Sequence, residues 1–155
     1  MKRSAMLLTA FLCVGHANAQ TMFSGDVVRI LDGDTVEVLD AGKRTHRVRL
    51  ANIDAPERRQ AFGEVSRQTL ATMAYRQQVE VLDQGGDQYG RRIGVLTVNG
   101  RNLNAAMVAK GMAWVYTRYN TDRTLPALEQ QARTNQIGLW ADKNPNPPWD
   151  FRRAW

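Results

Sequence analysis

The stretch from residue 49 to residue 57 combines a guanidinium group with two carboxylates. Arg49 is followed by Asp54, and Glu57 comes just after a proline. An arginine suits a phosphate because its planar fork donates two parallel, charge-assisted hydrogen bonds. One carboxylate can hold a hard cation, and a second can accept a proton from water. These residue types fit metal-assisted attack of water on a phosphodiester.

Two other segments supply more groups of the same kinds. Asp34 lies in Asp32-Gly33-Asp34-Thr35, and Arg91 ends a polar segment that contains Tyr89. Each segment also has an ordinary structural interpretation, as a tight turn or as a loop with an exposed cation. Arg49 and the acidic pair likewise admit an exposed strand residue and a proline turn near a helix start. Only the joint occurrence of these groups indicates catalytic chemistry.

The first nineteen residues are predicted to be a secretory signal peptide. They start with Lys2-Arg3, continue with an apolar run over 5–15, and end in the small-x-small pattern Ala17-Asn18-Ala19. The apolar run is shorter than the roughly 20 residues that a membrane-spanning helix needs. We therefore expect an exported protein, periplasmic or secreted, whose mature domain covers residues 20–155.

Removal of this segment limits the chemistry of the mature domain. Its loss takes away Cys13, which is the only cysteine, and so excludes disulfides, thiol catalysis and cysteine-ligated zinc. His46 alone cannot form a multi-histidine metal site. The formal charge falls from +6 to +4, because the segment carries Lys2, Arg3 and no acid. A basic surface fits a polyanionic partner, although many basic proteins are merely well solvated.

The remaining pattern predicts an α+β domain. Alternating apolar residues and intervening turn residues indicate five short strands, over residues 23–31, 35–39, 45–51, 78–82 and 93–98. Three- and four-residue spacing, with an Asn102 cap and terminal glycines, predicts about three helices, over residues 62–76, 102–111 and 125–136. Five short strands with interposed helices suggest an OB-fold β-barrel.

With these motifs in order, the chain resembles the thermonuclease, or staphylococcal nuclease-like, family. The resemblance rests on Asp-Gly-Asp-Thr at 32–35, Arg49, Asp54-x-Pro-Glu57 and Tyr-Gly-Arg91, and it covers nearly all of residues 20–155. It implies the following roles: calcium ligation by Asp34, Asp54 and the carbonyl of Ala55; general-base catalysis by Glu57; phosphate binding by Arg49 and Arg91; nucleotide contacts by Tyr89 and Tyr119.

The resemblance implies a calcium-dependent endonuclease that cleaves DNA and RNA and leaves 3′-phosphate ends. We expect a monomer that prefers single-stranded substrates. The main alternative is a non-catalytic OB-fold module that binds single strands through cations and aromatic rings. Such a module would have lost some of the catalytic set, whereas all of it is present here. A secreted structural or interaction domain has only the tail aromatics in its favour, and we expect these to pack against the barrel.

Overall fold

The computed structural model describes residues 21–154, so the predicted signal peptide lies outside the described residues. In this part of the chain, no helix is long and apolar enough to span a membrane. The strands are β1 (Thr21–Ile30), β2 (Thr35–Asp40), β3 (Thr45–Leu50), β4 (Ile53–Asp54), β5 (Gln78–Gly86), β6 (Arg92–Val98), β7 (Arg101–Asn102) and β8 (Trp114–Val115). The helices are α1 (Gly63–Ala74), α2 (Leu103–Ala109), α3 (Leu125–Thr134) and α4 (Pro148–Arg153), with a 3₁₀ turn at Gly138–Ala141.

Five strands close into the predicted barrel. Antiparallel pairing gives the order β3-β2-β1-β5-β6, and parallel pairing of β3 with β6 completes the circle. Alternate apolar residues on these strands face the interior, and those with no exposed surface include Val36, Val38, Val48, Leu50, Val79, Val81 and Leu96. The alternation visible in the sequence therefore marks the inner face, and the α+β OB-type prediction is confirmed.

Asn104 fixes the place where the barrel closes. Its buried side-chain oxygen accepts a hydrogen bond from the Leu96 amide at 3.0 Å, and its nitrogen donates to the carbonyls of Ala51 and Gly94 at 3.0 and 3.1 Å. One side chain thus connects the start of α2 to the segment after β3 and to β6. This holds the end of β3, and the residues that follow it, in a defined position.

The helix ends differ from the predicted ones for local reasons. Phe62 has a left-handed backbone (φ 66°) and Tyr75 is extended, so α1 is shorter than the predicted range 62–76. Gln136 also has a positive φ of 51°, which places it outside α3. The Asn102 side chain caps α2 as expected, accepting from the Ala105 amide. The strand predicted over 78–82 continues to Gly86.

The fourth helix, α4, was not predicted from the sequence. It has six residues and a proline in its first turn, so it is too short to show helical periodicity. Trp149 attaches it to the domain by stacking on Tyr116 at 5.6 Å between ring centroids and by an edge contact with Trp114 at 5.6 Å. Arg133 lies over Trp140, which in turn packs edge-on against Trp114. Trp149 therefore packs inside the domain, but against residues of β8 and the segment after it instead of the barrel as predicted, and it carries α4 to the groove described next.

Candidate active site

Chain segments far apart in sequence meet at one groove of about 950 Å³. The β1–β2 turn supplies Asp34, the end of β3 supplies Arg49, and β4 with the residues after it supplies the acidic motif. The β5–β6 loop and the segment after β8 provide the facing wall. The groove is lined by all eight residues singled out in the sequence: Asp34, Arg49, Asp54, Ala55, Glu57, Tyr89, Arg91 and Tyr119.

Asp34 and Asp54 are both buried and converge on the same nitrogen. Arg49 Nη2 lies 2.9 Å from Asp54 Oδ1 and 3.3 Å from Asp34 Oδ2. Asp34 is held by the Ala55 amide, which donates to its Oδ2 at 2.7 Å, and by the Thr35 hydroxyl, which donates to its Oδ1. Two buried carboxylates therefore face one positive charge, in positions fixed by the barrel.

Arg49 is committed to internal partners in this state. Its Nη1 donates to the carbonyls of Leu50 and Ile53 at 2.9 and 2.8 Å, and its Nη2 contacts the two aspartates. Nη1 thus uses both of its hydrogens, whereas Nη2 donates one hydrogen bond, to Asp54, and contacts Asp34 as an ion pair. Burial lowers the pKa of Arg49, but the charges of Asp34 and Asp54 outweigh it and the pKa is raised. The predicted phosphate ligand thus also acts as the counter-ion of the acidic pair.

The acidic pair fits a hard divalent cation. Ca²⁺ and Mg²⁺ bind oxygen ligands, and both possible ligands here are carboxylates. Their oxygens converge on the Arg49 guanidinium, so this place in the groove already stabilises a positive charge. Ala55, whose carbonyl was predicted as a third ligand, lines the same groove. Among the described residues, no group of three or more His, Cys, Asp or Glu side chains is arranged around a single metal position. A cation here would therefore need main-chain or water ligands in addition.

Arg152 belongs to this site, although the sequence did not single it out. This residue of α4 contacts Asp54 Oδ2 through Nη2 at 2.7 Å, Asp54 Oδ1 through Nη1 at 3.2 Å, and Glu57 Oε1 through Nη1 at 2.7 Å. These contacts raise the pKa of the Arg152 guanidinium. The only sequence signal for it was a basic pair in an aromatic tail, which does not indicate a position in the fold.

Asp32 is a further acid that lines the groove, where the sequence indicates only a turn residue. Its Oδ1 accepts a hydrogen bond from the Asp34 amide at 3.1 Å, which makes the Asx turn that presents Asp34. Burial first, and then the nearby charge of Asp34, raise the pKa of Asp32 from 3.8 to about 7. Burial likewise raises the pKa of Asp54, partly offset by its hydrogen bond from Arg152. The site thus concentrates negative charge that is incompletely neutralised.

The facing wall carries the second predicted arginine and the aromatic residues. Arg91 is held by Asp87, whose Oδ2 lies 2.7 Å from its Nε, and its guanidinium carbon lies 5.4 Å from the Tyr89 ring centroid. Tyr89 and Tyr119 are 72% and 58% exposed, so their rings are accessible to a ligand in the groove. Tyr116, not singled out before, packs edge-on against Tyr119 at 4.9 Å and also lines the groove.

This arrangement agrees with comparisons to known proteins. The model of the family described as "Staphylococcal nuclease homologue" matches residues 47–142. A protein of Shigella flexneri named "Micrococcal nuclease" is 48% identical over 143 residues, which cover 85% of this chain and 82% of that protein. The chain belongs to the staphylococcal nuclease family. An "Uncharacterized endonuclease" of Escherichia coli O157:H7 is 47% identical over 129 residues, covering 83% of this chain and 84% of the relative.

The likeness extends to plants. "Staphylococcal-like nuclease CAN1" of Arabidopsis thaliana is 34% identical over 125 residues, which make up 81% of this chain and 38% of that longer protein. Family membership identifies the chain as a nuclease of the hydrolase class with nucleic-acid substrates, in a family whose nucleases are generally metal-dependent. The segment matched by the family model contains Arg49, Asp54, Glu57 and Arg91, whereas Asp34 and Arg152 fall outside it.

Proposed function

We propose that this staphylococcal nuclease homologue is a calcium-dependent endonuclease that cleaves DNA and RNA and leaves 3′-phosphate ends. The observation that carries the proposal is the convergence of Asp34 and Asp54 in one groove with Glu57 and two predicted phosphate-binding arginines. Asp34, Asp54 and the Ala55 carbonyl would hold the calcium ion, which would polarise the phosphate and offset its charge.

In this proposal Glu57 accepts a proton from the attacking water. Its side chain is 41% exposed at the groove, in contrast to the buried aspartates, so water can reach it. In the proposed reaction the water oxygen bonds to phosphorus, the water proton passes to Glu57, and the bond from phosphorus to the 5′ oxygen breaks. The phosphate then remains on the 3′ side. The leaving 5′ oxygen takes a proton from solvent water, and Glu57 returns its proton to the solvent.

The arginines supply charge where the reaction needs it. A phosphodiester carries one negative charge and gains more as water attacks, so a cation near its oxygens is bound more strongly in the transition state. Arg91 is 26% exposed and can turn from Asp87 toward a bound phosphate. Arg49 would gain free donors once another cation satisfies Asp34 and Asp54.

The aromatic wall supports a preference for single strands. Tyr89 and Tyr119 present exposed rings beside the cationic groups, and unpaired bases stack on such rings regardless of sequence. A duplex keeps its bases stacked on one another and offers them no such contact. We also propose that the protein acts as a monomer and that it is exported with cleavage after Ala19. N-terminal sequencing of the secreted or periplasmic protein should then begin at Gln20.

The test uses the purified mature protein with end-labelled single-stranded DNA and RNA, in calcium and in chelator. We expect cleavage only with calcium, and products that a 3′-phosphatase shifts in mobility. Glu57→Gln should lower the rate by roughly 10²–10⁴-fold. Glu64→Gln is the matched control, because Glu64 pairs with Arg67 on α1 and does not line the groove. Binding without cleavage in calcium would instead indicate a single-strand-binding module.

A further inference from the structure

The guanidinium of Arg152 occupies the groove side of a proposed metal ligand. Asp54 is 1% exposed and its two oxygens accept from two arginines. Arg49 takes Oδ1, and Arg152 spans both oxygens, at 3.2 Å from Oδ1 and 2.7 Å from Oδ2. A planar fork on a carboxylate is the strongest geometry for such a pair. Asp54 therefore has its charge satisfied without any metal.

A cation bound to Asp54 would compete with this contact. Calcium needs a carboxylate oxygen at about 2.3–2.6 Å, and its positive charge would stand beside that of the guanidinium. The two positive charges would repel each other, so the binding of one would weaken the contact of the other with Oδ2. Arg152 has another partner in reach, because its Nη1 also donates to Glu57 Oε1 at 2.7 Å. Arg152 can therefore release Asp54 while remaining beside Glu57.

The position of Arg152 follows from how α4 is docked. Three residues before it, Trp149 lies flat against Tyr116, with an interplanar angle of 4°, and edge-on against Trp114. Before α4, the Asn146 carbonyl accepts a hydrogen bond from the Gln60 side chain, next to the acidic motif. The helix is thus attached to the domain on one side and presents Arg152 to Asp54 on the other. The guanidinium acts as an internal ligand at a high local concentration.

We propose that Arg152 is an internal counter-ion that competes with the divalent cation for Asp54, and that α4 thereby sets the metal affinity of the enzyme. Arg152 is a positioning residue in the metal-free protein: it holds Asp54 and Glu57 in place until a cation displaces it from Asp54. The inference depends on the proposed metal site but goes beyond it, because it assigns a function to a tail residue outside the segment that the family model matches.

The direct test measures calcium binding by titration calorimetry, without substrate. If Arg152 covers the site in most molecules, the apparent Kd is raised by the reciprocal of the open fraction. Arg152→Gln should therefore bind calcium roughly tenfold more tightly than the wild type. Trp149→Ala, which keeps Arg152 but weakens the docking of α4, should shift the Kd in the same direction.

Arg153→Gln is the matched control. Arg153 is the next residue of α4, has the same charge, is 75% exposed and pairs with Asp150 instead of the groove acids. Its replacement should change the calcium Kd by less than about twofold, since exposed charges are screened by solvent and salt. Equal tightening by Arg153→Gln and Arg152→Gln would show a general charge effect and would overturn the proposal.

A second readout separates competition from a merely structural role. In chelator, Arg152→Gln should lower the melting temperature, because Asp54 and Glu57 lose a shared partner, whereas in saturating calcium the difference should shrink. If Arg152→Gln loses stability but its calcium Kd is unchanged or higher, the competition is overturned while the proposed metal site stays intact. Absence of calcium binding in the wild type and in Arg152→Gln would overturn both proposals together.

Discussion

Replacement of Arg49 by methionine should destabilise the metal-free protein far more than an ordinary surface substitution. Met is similar in length and uncharged, so Arg49→Met removes four polar contacts and one charge while keeping most of the packing. Asp34 and Asp54 would then remain buried without the guanidinium that contacts both of them, and Arg152 would be the remaining cation on Asp54. The carbonyls of Leu50 and Ile53 would lose a donor as well.

The size of the effect follows from burial. The Arg49 side chain is 12% exposed and those of its two acidic partners are 8% and 2% exposed. Removing one member of a buried ion pair typically destabilises a protein by about 3–5 kcal/mol, because the remaining charge loses its compensation. We expect a loss in that range in chelator. Saturating calcium replaces the missing positive charge and should reduce the deficit by roughly 1–2 kcal/mol.

Urea denaturation followed by circular dichroism, in chelator and in calcium, measures both numbers. Arg91→Met is the matched control, since Arg91 is a predicted phosphate ligand whose only ion pair among the described residues is with Asp87 and whose side chain, 26% exposed, is less buried than that of Arg49. This control should lose less than about 1 kcal/mol of stability, yet it should lower the cleavage rate. A deficit below about 1 kcal/mol for Arg49→Met, or the same deficit with and without calcium, would refute the counter-ion role.

Three further predictions concern the surroundings of the site. Asp32→Asn keeps the turn acceptor but removes an acid whose folded pKa of about 7 exceeds its unfolded value; in chelator, wild-type stability should fall as pH rises from about 4 to 7. The stability of Asp32→Asn should fall less over this pH range. The difference, set by the pKa shift of Asp32, should be on the order of a few kcal/mol. Asn104→Ala breaks three buried hydrogen bonds and should lower the unfolding free energy by roughly 3 kcal/mol in the same urea assay. Tyr89→Ala, at an exposed ring, should leave the melting temperature unchanged and weaken single-stranded oligonucleotide binding by roughly 5- to 100-fold in fluorescence anisotropy.

The barrel was predictable because its signal is local. Val36 and Val38 on β2, and Val79 and Val81 on β5, alternate with more exposed residues, and that alternation directly marks the inner face. The Asn102 cap and the turn at Asp32 are also local, since each is formed by hydrogen bonds to residues two or three positions away. Such features need no knowledge of the tertiary fold.

Arg152 could not be predicted because its partners are distant. It lies 98 positions from Asp54 in the sequence and reaches it only because Trp149 packs on Tyr116. A six-residue helix has too few turns for a periodic pattern, and an arginine in a polar tail indicates no partner. The ion pairs of Arg49 could not be predicted for the same reason. Its residue type indicates a phosphate ligand, but only the packing shows that it already pairs with Asp34 and Asp54.

The charge of the site connects these observations. Asp32, Asp34, Asp54 and Glu57 are four acids, and Arg49 with Arg152 provides two positive charges among them. With all groups ionised the net charge of the cluster is −2, and with Asp32 protonated, as its pKa of about 7 allows near neutral pH, it is −1. One divalent cation would offset this negative charge. A phosphodiester arriving at the metal-free cluster would meet net negative charge, despite the basic composition of the chain. Substrate binding should therefore depend on the cation. Because the proposed cation would also compete with Arg49 for Asp54, the same event that reduces the repulsion would free donors of a predicted phosphate ligand.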